Sequence, residues 1–280
     1  MSLRRFTRPA RHALAYAALR LLVAILRRLP LDAALATGGA LGRLIGALAR
    51  RERRRMAARI NRALGAPPAP GDCFADLGRR FVEFACAERL LDRCVLGATG
   101  VAVFDAARAR GRGVLLATAH LGNWELMAAA LAARGYAVHA VAARPRSGPL
   151  HRWLARRRAA LGVTVHPPGG GARAIVDRLR RGEAAAIFID QATRERGRPI
   201  GFFGRPAPTP TTFARLLALT GATPLWLWSV RGADGRHHIR VEALPGDDPL
   251  AAATARLEAA VRAQPAQWVW LHDRWRDAAG

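Results

Sequence analysis

The stretch 114–125, VLLATAHLGNWE, constrains the fold more than any other part of the chain. After Gly113 a continuous apolar run ends on His120, Gly122 opens a turn, and Asn123, Trp124 and Glu125 begin WELMAAALAARG, which has the composition of a helix. A short apolar run bounded by turn residues fits a strand buried on both faces, and such strands belong to parallel sheets covered by helices. The pattern then repeats. Strands are expected at 114–118, 137–141, 163–165 and 185–189, with helices at 124–133, 149–160 and 172–181 between them. Right-handed crossovers turn this alternation into an α/β three-layer sandwich with a mainly parallel sheet. The segments 225–230 and 238–241, separated by GADG, fit an antiparallel hairpin that extends the sheet.

Chemistry in such folds gathers at the carboxyl ends of the strands, where His120 stands. A lone histidine at a strand end is commonly a hydrogen-bonded structural residue. Glu125 adds a second reading. Across the turn at Leu121 and Gly122 its carboxylate can fold back to the imidazole, fix the tautomer and favour the imidazolium, which makes a general base with its orienter. Asn123 and the free amides of the first helical turn supply donors for a developing negative charge. Asp190 and Gln191 follow another buried strand, and the aspartate reads equally as a core cap or as part of a site.

Composition removes several chemistries. All 45 basic residues are arginine, against 20 acidic ones, for a net charge of +25. Without lysine there is no Schiff base, P-loop or Ser-Lys dyad. Serine occurs only at 2, 147 and 229, never in a nucleophile elbow. Cys73, Cys86 and Cys94 lack metal or disulfide spacing and read as small buried residues, so no metal site and no cofactor are expected. A charge this positive points to a polyanionic partner. Nucleic acid is disfavoured because the aromatics do not interleave with the arginines and no nucleic-acid motif occurs.

Residues 1–65 read as an N-terminal membrane-associated helical segment, joined at APPAP (66–70) to a main domain over 66–280. The apolar stretch 13–26, interrupted by Arg20 and flanked by arginines, suits a helix in or on an anionic membrane surface. Gly38, Gly42 and Gly46 form one helical stripe for close packing, and the arginine-rich run 50–55 suits lipid headgroups. The prolines of GFFGRPAPTPTT (201–212) argue against regular structure there, with Phe202 and Phe203 as an exposed apolar pair. The tail PAQWVWLHDRWR reads as a capping element with tryptophans at a membrane boundary.

HLGNWE resembles the H-x-x-x-x-D/E motif of the glycerolipid acyltransferase superfamily, and GRGVLLATAHLGNWE, AIFIDQ, IGFFGRPAPTPTTFARLLALTGATP and PAQWVWLHDRW together resemble, in order, successive blocks of the late acyltransferases of lipid A biosynthesis. The resemblance covers about 111–276. It implies a glycerolipid-acyltransferase-like fold behind an N-terminal membrane helix, on the cytoplasmic face of a bacterial inner membrane. It also implies transfer of a fatty acyl chain from acyl carrier protein to a hydroxyl of an anionic lipid A precursor. His120 is then the base and Glu125 its partner, with Asn123, Asp190 and Gln191 near substrate and one or more of Arg156, Arg157 and Arg158 near phosphates. Acceptors of related enzymes, such as phosphatidylinositol mannoside, ornithine lipid or a lysophospholipid, stay open, as does a non-catalytic basic membrane-binding protein.

Overall fold

The computed structural model describes residues 4–65, 68–141, 148–166, 170–191 and 197–275. Helices α1 (Arg4–Arg28), α2 (Leu31–Leu48) and α3 (Arg50–Leu64) come first, followed by α4 (Pro70–Ala85). Pro30 is extended and stops α1 before α2, and Gly65, in the left-handed region, ends α3. The joint at 66–70 lies partly outside the described residues.

The glycine stripe of α2 packs against α4 as its spacing predicts. A Cβ on Gly42 would stand 2.1 Å from the Phe74 carbonyl oxygen, so the two backbones can approach this closely only without side chains. Outside this stripe Leu44, Ile45 and Leu48 are exposed. Among the described residues, α2 is the helix whose length and hydropathy suit a membrane crossing, and a third of it is buried against the protein. The stretch 13–26, expected in or on the membrane surface, lies in α1, where Arg20 and the flanking arginines lower the hydropathy.

Beyond α4 and two short 3-10 turns come β1 (Cys94–Leu96), α5 (Ala98–Ala109), β2 (Val114–Thr118), α6 (Trp124–Ala133), β3 (Val138–Val141), α7 (Gly148–Ala160), β4 (Thr164–His166), α8 (Gly171–Arg180) and β5 (Ala184–Phe188). The chain continues through β6 (Arg198–Phe202), β7 (Arg205–Thr209), α9 (Thr212–Thr220), β8 (Thr223–Arg231), β9 (His237–Ala243) and α10 (Pro249–Ala263). Seven strands form one sheet in the order β1-β9-β8-β2-β5-β3-β4, parallel except for the β8–β9 hairpin. Along β2, Leu115 and Ala117 join a core with α8, α9 and α10, whereas Val114 and Leu116 join one with α5 and α6. This alternation is the three-layer α/β sandwich, and it explains why every residue of the strand is apolar or buried.

The proline-rich segment departs from expectation. β6 and β7 pair as an isolated antiparallel hairpin in which Pro199 faces Pro208 and Gly201 faces Pro206. A two-stranded ribbon has two free edges, so prolines fit where their missing N–H would have pointed outward. Phe203 and Gly204 both have positive φ, as a tight hairpin turn requires. Phe202 and Phe203 are buried instead of exposed, and so are Trp268, Trp270 and Trp275. The tail is therefore part of the core, where its tryptophans pack on the hairpin, with Phe202 5.5 Å from Trp268 and 5.8 Å from Trp275 between ring centroids.

Candidate active site

β2 and β5 are parallel neighbours in register, with Thr118 opposite Phe188. Each chain leaves the sheet and, two residues on, presents one polar side chain: His120 and Asp190. The Asp190 carboxylate is buried and makes two hydrogen bonds with His120, accepting the backbone N–H at Oδ2 (2.8 Å) and meeting the ring Nδ1 at Oδ1 (2.9 Å). Burial by itself would raise the Asp190 pKa. The histidine and the hydrogen bonds to the carboxylate outweigh it and hold the pKa below its ordinary value. An ionised Asp190 can only accept, so Nδ1 carries a hydrogen, and in the neutral imidazole Nε2 then keeps its lone pair. The ring stands 4.3 Å from Phe188 and 4.7 Å from Trp124 between centroids, and a fifth of the side chain is open to solvent.

Glu125 does not make the contact expected of it. Both its oxygens are engaged by the Arg158 guanidinium, Nε to Oε2 at 2.9 Å and Nη2 to Oε1 at 2.5 Å. The reason is positional. Asp190 already occupies the Nδ1 side of His120, and α7 brings a cation to the start of α6. The hydrogen bond to Glu125 raises the pKa of Arg158.

Asn123 is also placed differently. It is buried and caps α6, its Oδ1 accepting the Leu126 N–H (3.1 Å) while Nδ2 donates to the Arg80 carbonyl (3.1 Å) and Glu83 Oε2 (2.9 Å). Both its amide hydrogens and one lone pair of Oδ1 are engaged inside the protein. Arg157 is buried too, donating to the carbonyls of Phe84 (3.0 Å) and Ala85 (3.1 Å) and to Glu88, so it ties α7 to the end of α4. Arg156 is exposed on α7, and Gln191 is half-buried beside Asp190. Among the described residues no three metal-ligating side chains gather as a binding group.

The turn between His120 and α6 is clamped on both sides. Gly122 has φ +58°, and a Cβ there would meet the Ser229 carbonyl oxygen at 2.0 Å, so only glycine fits. Its N–H donates to the Gln267 carbonyl (2.9 Å) and its own carbonyl accepts from Arg80 (2.9 Å). The Gly122 amide is thus not a free oxyanion donor. Of the first-turn amides of α6, that of Leu126 is taken by Asn123, and those of Trp124 and Glu125 have no carbonyl of the helix to meet them.

Behind the turn lies a buried ionic cluster that nothing in the sequence announced. Arg80 pairs with Asp76 (2.7 Å), and Arg231 reaches both Asp76 and Glu83. Burial would raise the Glu83 pKa, but His237, Arg231 and Asn123 bring it down to about 2. Arg80 also lies over the Trp124 ring at 5.5 Å. These charges sit at helical spacing on α4, in a segment whose apolar pattern reads simply as core. Trp268 was visible in the tail, but no local pattern pointed it at Asp190.

Residues 4–277 match the model of the bacterial lipid A biosynthesis acyltransferase family. The chain is also similar to curated phosphatidylinositol mannoside acyltransferases. That of Mycobacterium tuberculosis is 32% identical over 198 residues, 67% of this chain and 61% of the relative. That of Mycolicibacterium smegmatis is 29% identical over 174 residues, 59% of this chain and 57% of the relative. The chain thus spans about six tenths of the length of the curated relatives it matches. With a match along nearly its whole length, the chain belongs to the bacterial lipid A biosynthesis acyltransferase family.

Proposed function

We propose that the protein transfers a fatty acyl chain from a thioester donor to a hydroxyl of a phosphate-bearing membrane glycolipid, with His120 as general base and Asp190 as its orienter. The observation that carries this is the pair itself: a partly open imidazole at a strand end, bonded through Nδ1 to a buried carboxylate at 2.9 Å. As the acceptor oxygen attacks the thioester carbonyl, its proton passes to Nε2. The tetrahedral oxyanion faces the amides of Trp124 and Glu125 at the start of α6. Collapse breaks the carbon–sulfur bond, and the departing thiolate takes the proton back from Nε2, which leaves ester and free thiol. Glu125 serves through Arg158, whose guanidinium it holds in place. Arg158, with exposed Arg156, offers charge to the acceptor's phosphate, as planar guanidinium groups suit phosphate oxygens.

The mycobacterial relatives favour mannosylated phosphatidylinositol as acceptor. The family description favours a lipid A precursor as the second reading. Acyl carrier protein is the proposed donor carrier, drawn by the excess of arginine. The apolar outer face of α2 and the exposed arginines of α3 suit an anionic bilayer, on our reading the cytoplasmic face of the inner membrane.

The test is a matrix of purified protein with acyl carrier protein or coenzyme A thioesters against phosphatidylinositol mannoside and a lipid A precursor, with products weighed by mass spectrometry. Acyl transfer to one acceptor, lost in His120→Ala, is expected. No transfer to either, or transfer that survives His120→Ala, would reject the proposal.

A further inference from the structure

Asp190 takes three hydrogen bonds, and two of them come from His120 itself. The third comes from the far end of the chain. The indole N–H of Trp268 donates to Asp190 Oδ2 at 3.0 Å, on the same oxygen that accepts the His120 backbone N–H. Two donors on one oxygen leave Oδ1 for the imidazole and remove the rotation by which a carboxylate exchanges its oxygens.

Trp268 is itself held firmly. Its ring is buried, 4.6 Å from Trp270 at 81° and 5.5 Å from Phe202. Its backbone bridges Leu121, next to the histidine. The preceding residue, Gln267, accepts the Gly122 N–H with its carbonyl, and its side-chain amide clasps the Arg231 backbone, accepting from N–H at 2.9 Å and donating to C=O at 2.8 Å. Buried Arg274, six residues on, donates to Thr209 Oγ1 (2.6 Å) and anchors the tail to the β6–β7 hairpin. The segment 267–274 therefore grips the catalytic turn and the aspartate together.

We infer that Trp268 is a positioning residue for the reaction: its indole N–H fixes the Asp190 carboxylate that orients His120. This rests on the reading of His120 and Asp190 as the catalytic pair. A tryptophan that merely fills the core would need its ring and not its N–H, so the two roles separate by removing the donor while keeping the shape.

The experiment replaces Trp268 with benzothienylalanine, in which sulfur stands for the indole N–H, alongside Trp268→Phe, each in the wild-type and Asp190→Asn backgrounds. Losing a hydrogen bond to a charged group should lower kcat roughly ten-fold with KM unchanged. The isosteric variant should fold with its melting temperature lowered by a few degrees, and neither change should cost further activity once Asp190 is asparagine. A folded isosteric variant with wild-type kcat would overturn the inference, as would a loss that adds in full to that of Asp190→Asn. Wild-type activity in Asp190→Asn alone would instead overturn the pair, and the inference with it.

Discussion

The sharpest consequence of the site geometry concerns Asp190→Asn, because the hydrogen bonds dictate how the new side chain must sit. At Oδ2 two donors converge, the His120 backbone N–H (2.8 Å) and the Trp268 indole (3.0 Å). An amide NH2 placed there would face both donors with nothing to accept, at a cost of about 1–3 kcal/mol for each buried unpaired group. Asparagine therefore puts its oxygen at that position and its NH2 at the other, facing His120 Nδ1. A donor opposite Nδ1 forces the imidazole to carry its hydrogen on Nε2. The nitrogen that should take the substrate proton is then already occupied.

The fold should tolerate this, since every buried group keeps a partner. Activity should not. The loss expected is between about 10² and 10⁴ in kcat, the upper end being what an orienting aspartate contributes in a serine-protease triad when asparagine imposes the wrong tautomer. The assay is initial-rate acyl transfer on protein whose folding is checked by thermal melting, with Glu125→Gln in parallel. Glu125→Gln frees Arg158 and should act mainly on KM and stability. A folded Asp190→Asn protein with kcat within a few-fold of wild type would refute the tautomer argument. Equal damage to kcat from Glu125→Gln would restore Glu125 as a partner of the base.

Arg157→Ala should lower stability by about 1–3 kcal/mol, because it leaves the Phe84 and Ala85 carbonyls at the end of α4 without their donor, whereas half-exposed Glu88 keeps Arg27 at 3.5 Å, and the folded fraction should keep its KM; Arg156→Ala should leave the melting temperature unchanged and raise the acceptor KM. Glu83, with its folded pKa lowered from 4.5 to about 2, stabilises the fold above pH 4.5, and that contribution, about 3 kcal/mol, is lost as pH falls from 4.5 towards 2. Acid melts of Glu83→Gln should start lower and change less over that window than wild type. Leu44→Asp with Leu48→Asp, on the exposed face of α2, should shift the protein from sedimenting with anionic vesicles to the supernatant without altering its melt, and an unchanged pellet would remove α2 from the membrane contact.

The fold was legible where burial alone sets the residue pattern. β2, α6, β5 and the β8–β9 hairpin fall within a residue or two of their sequence expectation, because central strands of a covered sheet must be apolar on both faces. The glycine stripe of α2 was legible for a similar reason, since close helix contact leaves no alternative to glycine. The β6–β7 hairpin was not. Proline's missing donor argues against ladders in general, but the argument applies to paired positions and not to the free edges of a two-stranded ribbon. β1 and α5 carry weak local patterns and take their places from the sheet edge they cover.

The site shows the same division more sharply. His120 could be placed from sequence because a single strand carries it to the sheet edge. Its partner could not be chosen, since Glu125 is near in sequence and Asp190 lies 70 residues away on a neighbouring strand. Only the parallel register of β2 and β5 puts Asp190 opposite His120, and register between strands is set by crossovers that no local pattern records. The ionic cluster behind Gly122 is harder still to foresee. Asp76, Arg80 and Glu83 on α4 look like a solvated helix face until Arg231 and His237 from the hairpin close over them. Such a cluster adds little net stability for the charge it buries. What it does supply is a fixed hydrogen bond to the Gly122 carbonyl and two anchors for Asn123, so the turn that carries His120 is held from α4 on one side and from Gln267 on the other. The general base we propose in His120 needs its nitrogen held to within about 0.5 Å of its working position, and this double clamp gives a loop residue the rigidity of the sheet beneath it.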